Sequence, residues 1–317
     1  VALSTTVTLL VPEEERDKAN GLVGTVNGVS FSITSLFSGL SIGQLGMGWT
    51  IGIGVVLTAV AAAHLLAIRF DEAPIVHDDD APAIPAVDVK GALRAVRVVD
   101  GLMALLVFST FNNLLGGAFM ALMDPYALML VSVEAWGILL AVTSSSFILG
   151  GVLVATRGLG KNPVRALLVT NVAMWTITIL FPLKASIVPV VAGFFVYMLL
   201  IPRAEAAEQT VIQRVVPLEE QGRVFGFAQS VEQAASPVTS FLLGPLAQIW
   251  VMPFMTTGSG ADAIGSWFGT GPDRGIALVF VATGVIGVIV TLLALRSGPY
   301  HRLSATYAAR REPAPAT

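Results

Sequence analysis

A chain of 317 residues that is 55% hydrophobic and only 12% charged cannot cover itself with polar surface, since soluble domains carry about 25% charged residues. With a mean hydropathy of +0.79 it reads as an all-α polytopic membrane protein whose outer surface faces lipid. The net charge of -3 excludes a broad basic field for nucleic acid. The absence of cysteine excludes disulfides and thiolate metal sites, and His64, His77 and His301 are too scattered for a metal cluster.

Residues 1–10 read as the tail of a helix. Eight apolar windows then follow, at roughly 19–42, 48–68, 101–123, 134–156, 163–183, 186–207, 224–250 and 275–296. Each is long enough to cross a bilayer core of about 20 helical residues. Counting crossings from the loop at 11–18 puts every Lys and Arg on one side except Lys184 and Arg274. The positive-inside tendency makes that side, and the C-terminus, cytoplasmic. Trp49, Trp136, Trp250 and Trp267 fall near the opposite ends, as an interfacial belt would place them.

The loops differ in character. Residues 70–98 form the longest cytoplasmic connection. Its first part, DEAPIVHDDDAPAIPA, is a flexible linker, and its second, DVKGALRAVRVV, is predicted as an amphipathic helix on the membrane surface. Asp124-Pro125 is predicted to end its helix. The Gly-rich stretch 251–274 is predicted as an outer loop, and the tail after Arg296 as disordered.

Two segments are related. Residues 11–40, VPEEERDKANGLVGTVNGVSFSITSLFSGL, align without gaps on 216–246, VPLEEQGRVFGFAQSVEQAASPVTSFLLGPL. The pairs include Pro12/Pro217, Glu15/Glu220, Gly21/Gly226, Thr34/Thr239 and Gly39/Gly244, which marks a duplicated unit. One helix follows each copy, but only ten residues precede the first. The expectation is two parallel six-helix halves, with about four helices, on the order of 120–150 residues, belonging upstream of Val1. The domains are then 1–69, the last two helices of the first half; 70–98, the linker; 99–297, the second half; and 298–317, the tail.

Six plus six helices, a long central loop and a VP-x-E-x-x-G-R turn opening the fifth helix of each half resemble the major facilitator superfamily. The turns VPEEERDKANGL and VIQRVVPLEEQGRVFGF look most like its bacterial drug-efflux branch, which includes macrolide and siderophore exporters. The family's loop motif G-x-L-x-D-R-x-G-R-K is echoed in GGVLVATRGLGKNPVR. Gly151, Leu153, Arg157, Gly160 and Lys161 fit with one insertion, but Ala155 and Thr156 stand where the Asp belongs. The resemblance implies helices 5 to 12 of a monomeric twelve-helix transporter in the bacterial cytoplasmic membrane. It would export a small amphipathic drug-like compound as a proton antiporter, with the proton gradient as energy source and no cofactor. It also implies that the first and fourth helices of each half line the cavity, the fifth flanks it and the sixth faces lipid. A truncated chain of this kind is not expected to transport alone. An importer of a sugar or metabolite with the same fold, or a non-transporting membrane protein, are the alternatives.

Candidate residues sit on the polar stripes. Gln229, Glu232 and Gln233, with Ser236, recur at i, i+3, i+4 and i+7 on an otherwise apolar helix. A carboxylate within a span is costly unless it faces a cavity or a partner. Glu232 therefore senses protons or contacts a cationic substrate, or else pairs with a basic residue or interfacial water. Its counterpart in the first copy is Asn27. Asn112 and Asn113 lie mid-span, for substrate contact or interhelical hydrogen bonds. Arg203 and Glu205 follow Pro202 as candidates for a cytoplasmic gate, or as a solvated helix end that also holds Glu208. Gly150-Gly151 permits close helix contact. An enzyme reading lacks support: no nucleophile with its base and no H-E-x-x-H is present.

Overall fold

The computed structural model describes residues 2–67 and 88–310. The Pro- and Asp-rich part of the predicted linker and the end of the tail lie outside the described residues. Helices dominate, with no strand among the described residues: α1 (Ala2–Leu10), α2 (Arg16–Leu45), α3 (Met47–Ala67), α4 (Val89–Val98), α5 (Leu102–Leu128), α6 (Val133–Arg157), α7 (Pro163–Leu180), α8 (Ile187–Val215), α9 (Leu218–Leu246), α10 (Met252–Thr256), α11 (Ser259–Phe268), α12 (Pro272–Arg296) and α13 (Gly298–Ala309).

Each predicted window falls on a helix. Among the described residues seven helical stretches are long and apolar enough to cross a membrane. The helix that does not qualify is α2, which carries Asn20, Asn27 and several Ser and Thr. Three expectations need correction. The helix predicted to stop at Asp124-Pro125 continues to Leu128 with Pro125 inside it, and the Asp124 carboxylate accepts a bond from Trp136 Nε1 at 3.0 Å. The predicted outer loop contains a π-helical turn at Ala247–Val251 followed by α10 and α11. The tail, as far as it is described, is the helix α13. Ser297 caps it by accepting from Tyr300 N, and Leu303 and Tyr307, four residues apart on one face, are buried in the core.

The chain divides into two units, 1–29 with 89–317, and 30–88. In the smaller unit Gly46, at φ +84°, turns the chain between α2 and α3. Thr50 Oγ1 donates across that turn to Ser41 Oγ at 2.9 Å. No residue of α3 is buried, as expected of an all-apolar helix whose surface meets lipid tails.

In the larger unit α5 runs along α9, α7 along α12, and both α6 and α7 along α8. Glycines set these approaches. A Cβ on Gly150 would strike Leu199 O of α8, and one on Gly151 would strike the backbone of Thr25 in α2. A Cβ on Gly21 would lie 2.5 Å from Ala155 N, and one on Gly28 2.9 Å from the Phe147 ring. The predicted close contact at Gly150-Gly151 is thus present, and it joins α6 to two helices at once. Pro202, buried within α8, lies against Gly24 and Gly150. The expected result for Gly151→Leu is a loss of about 2 kcal/mol by overpacking, read as a lower Tm in detergent. Gly116→Leu, where nothing lies within 4 Å, leaves the Tm in place.

At the end of the bundle away from α4 and α13, Arg274 is 1% exposed. Its Nη2 donates to Pro182 O at 2.6 Å and to Leu183 O, and its guanidinium lies 4.3 Å from the centre of the Phe268 ring. One side chain thereby ties the α7–α8 turn and α11 to the first turn of α12. An aromatic cluster lies near it, with Phe119 stacked on Tyr197 at 4.5 Å and Phe280 against Phe119, Phe181 and Tyr126.

Candidate functional site

Three helices carry the same pattern of polar residues at i, i+3 and i+4. They are Ser109, Asn112 and Asn113 on α5; Glu205, Glu208 and Gln209 on α8; and Gln229, Glu232 and Gln233 on α9. This spacing makes one stripe per helix. The close crossing of α5 and α9 rests on Gly117, where a Cβ would lie 2.6 Å from Ser236 O and where Ser240 Oγ donates to Gly117 O at 3.0 Å.

The stripes converge on two carboxyl groups. Glu208 lies within side-chain hydrogen-bonding range of both Ser109 and Glu232. Oε1 of Glu208 and Oε1 of Glu232 are shielded from solvent, and among the described residues these two atoms have no hydrogen-bond partner. Two ionised carboxylates so placed repel each other, whereas one proton between them makes a hydrogen bond. At 1.5 Å per residue, Glu208 lies about 10 Å from the last residue of α8, so the pair sits inside the helix set.

The other predicted residues separate. Asn112 is engaged by Trp175 of α7, whose Nε1 donates to Oδ1 at 2.7 Å, and its own Nδ2 donates to Phe108 O. This is the interhelical hydrogen bond that the sequence left open. Asn113 Nδ2 donates to Ser109 O at 3.0 Å. Gln229 is half-buried, while Gln233 and Asn27 are exposed. Arg203 is half-buried and Glu205 exposed. Two residues apart on a helix they point to different faces, and an ion pair joins Glu13 to Arg214 instead.

Sequence reasoning set Glu208 aside as part of a helix end. Its i+3 spacing from Glu205, matching that of Gln229 and Glu232, was the available signal. Sequence reasoning also missed a second cluster, where α1 and the start of α2 meet α8. Gln213, 2% exposed, is its centre. Asn20 Nδ2 donates to Gln213 Oε1 at 2.8 Å and to Thr210 Oγ1 at 3.0 Å. Gln213 Nε2 donates to Ser4 O at 2.9 Å, and Gln221 Nε2 donates to Gln213 O at 2.9 Å. Arg16 reaches Thr8 O, Val11 O and Gln213 O. Burial holds the Arg16 guanidinium below its ordinary range, with the Glu13 carboxylate opposing. Beside this cluster Asp17 Oδ2 accepts from Leu159 N at 2.9 Å, next to Gly158, whose φ of +67° turns the chain after α6. The carboxylate missing from the loop at 150–165 is thus supplied from α2.

Helices able to cross a membrane, with carboxyl and amide groups gathered between them, define a multi-pass membrane protein. The sequence model of the Major Facilitator Superfamily matches residues 1–240, most of the chain, and the chain belongs to that family. Its members are transporters rather than enzymes. No curated protein and no solved structure matches the chain. Among the described residues no group of three His, Cys, Asp or Glu side chains is placed to hold a metal ion.

Proposed function

We propose that the chain works as a proton-coupled secondary transporter that exports a small amphipathic compound across the bacterial cytoplasmic membrane. The observation that carries this reading is the pairing of Glu208 with Glu232. A carboxyl pair between membrane helices is costly to leave doubly charged, so it has reason to take up either a proton or a cationic ligand. Occupancy by one excludes the other, which is the logic of exchange. Alternating access then moves the loaded pair between the two faces of the membrane. Gln229 and Gln233, on the same stripe, offer hydrogen bonds to the polar part of the solute. The outward direction rests on the likeness of the two VP-x-E turns to those of the drug-efflux branch. On this reading the chain supplies helices 5 to 12 of a twelve-helix monomer, Arg203 and Glu205 border its cytoplasmic mouth, and the proton gradient is the energy source.

The test is transport by the complete gene product in inverted vesicles, with lipophilic cationic dyes as the first solutes. Collapsing the pH gradient with a proton ionophore is expected to stop uptake. Undiminished uptake after collapse would sink the proton-coupled reading.

A further inference from the structure

Helix α4 is fixed in place with a basic face turned outward. Ala92, Ala95 and Val96 are buried, Ala95 and Val96 in a cluster with Val224, Phe225 and Ala228 of α9. Their burial sets the helix's rotation. Lys90, Arg94 and Arg97 then fall at i, i+4 and i+7, within an arc of about 60°, and all three are exposed. Among the described residues none of the three takes part in a hydrogen bond or an ion pair. With Leu93 and Val98 they line a recess of about 350 Å³. Val98 is 78% exposed, so the recess joins three cations to bare apolar surface.

The position matters as much as the composition. Only residues 99–101 separate α4 from α5, a membrane-crossing helix, and Gly101 at φ +84° makes the turn. The recess therefore lies at the level where the hydrocarbon core gives way to headgroups. A free phosphate would use the cations and leave Leu93 and Val98 in water. A phospholipid uses both, with its phosphate on the arginines and its glycerol and upper chain on the apolar residues.

We propose that the recess on α4 binds an anionic phospholipid, with Lys90, Arg94 and Arg97 as its headgroup site. This site is distinct from the carboxyl pair and does not depend on transport. The lipid pins α4 to the bilayer surface, and through α4 the start of α9.

The experiment uses the purified full chain in detergent, with lipid retention measured by native mass spectrometry. The lipids are phosphatidylglycerol and phosphatidylcholine of identical chains. The expected result is preferential retention of phosphatidylglycerol that weakens with added salt. Lys90→Gln/Arg94→Gln/Arg97→Gln should lose that preference by about fivefold for each charge removed. Arg94→Lys/Arg97→Lys, which keeps the charge, should retain most of it, and circular dichroism checks that both variants hold their helices. Equal retention of the two lipids by the native chain, or unchanged preference in the triple Gln variant, overturns the proposal. Displacement of phosphatidylglycerol by millimolar inorganic phosphate overturns it too, since that marks a site for free anions.

Discussion

Glu232→Gln is expected to abolish gradient-driven transport while leaving exchange of substrate between the two membrane faces intact. Glutamine has the shape of a protonated glutamic acid and can still donate a hydrogen bond to Glu208, but it holds no labile proton. The variant therefore keeps one carboxylate, Glu208, for a cationic solute but has no second carboxyl with which to share a proton, and it cycles only when substrate drives it. Accumulation should fall to the level seen without a gradient, while counterflow of labelled against unlabelled substrate persists. Because Glu208 and Glu232 face each other, Glu208→Gln should give the same phenotype, and the double variant should be little worse than either single one. Wild-type accumulation by Glu232→Gln would remove the pair from the coupling step. Loss of counterflow as well would mean that Glu232 is needed for the motion itself.

The second large effect is one of stability. Gln213→Leu removes the acceptor of the 2.8 Å bond from Asn20 and the donor of the 2.9 Å bond to Ser4 O. Asn20 is buried and Ser4 half-buried, and each buried hydrogen-bonding group left short of a partner costs about 1–3 kcal/mol. The sum is about 3 kcal/mol, or roughly 4–5 °C in Tm for a chain of this size. Leucine packs well in that space, so the loss reports the missing bonds rather than a cavity. Adding Asn20→Val should recover part of it, because removing both partners costs less than orphaning one. An unchanged Tm in the single variant would show that water replaces the glutamine.

The spans were legible because membrane helices need uninterrupted apolar length, and each window meets a helix. Their ends were not. Asp124-Pro125 looks like a stop, but a proline near the end of a membrane helix removes one backbone bond without ending the helix. The tail and the Gly-rich stretch were read by composition alone. The i, i+4 pair Leu303 and Tyr307 was available but easily lost in a short polar segment. At the candidate site the α9 stripe could be read directly, since Glu232 stands out on an apolar helix. Its partner Glu208 could not, because which stripes face one another depends on helix rotation. That rotation is set by contacts such as those at Gly117 and Gly150. The role of Asp17 was hidden for the same reason, as its donor, Leu159 N, lies on a loop far along the chain.

Pro202 has a mechanical meaning. It lacks the backbone N–H that would tie it to the preceding turn, and it packs closely on two glycines, Gly24 and Gly150. Beyond it, residues 203–215 contain neither proline nor glycine and form a stiff arm. Glu208 lies about 9 Å along that arm and Gln213 about 17 Å. A small displacement at the carboxyl pair is therefore nearly doubled at the hydrogen-bonded cluster around Gln213. With Pro202 as fulcrum, the carboxyl pair and the amide cluster become two points on one lever.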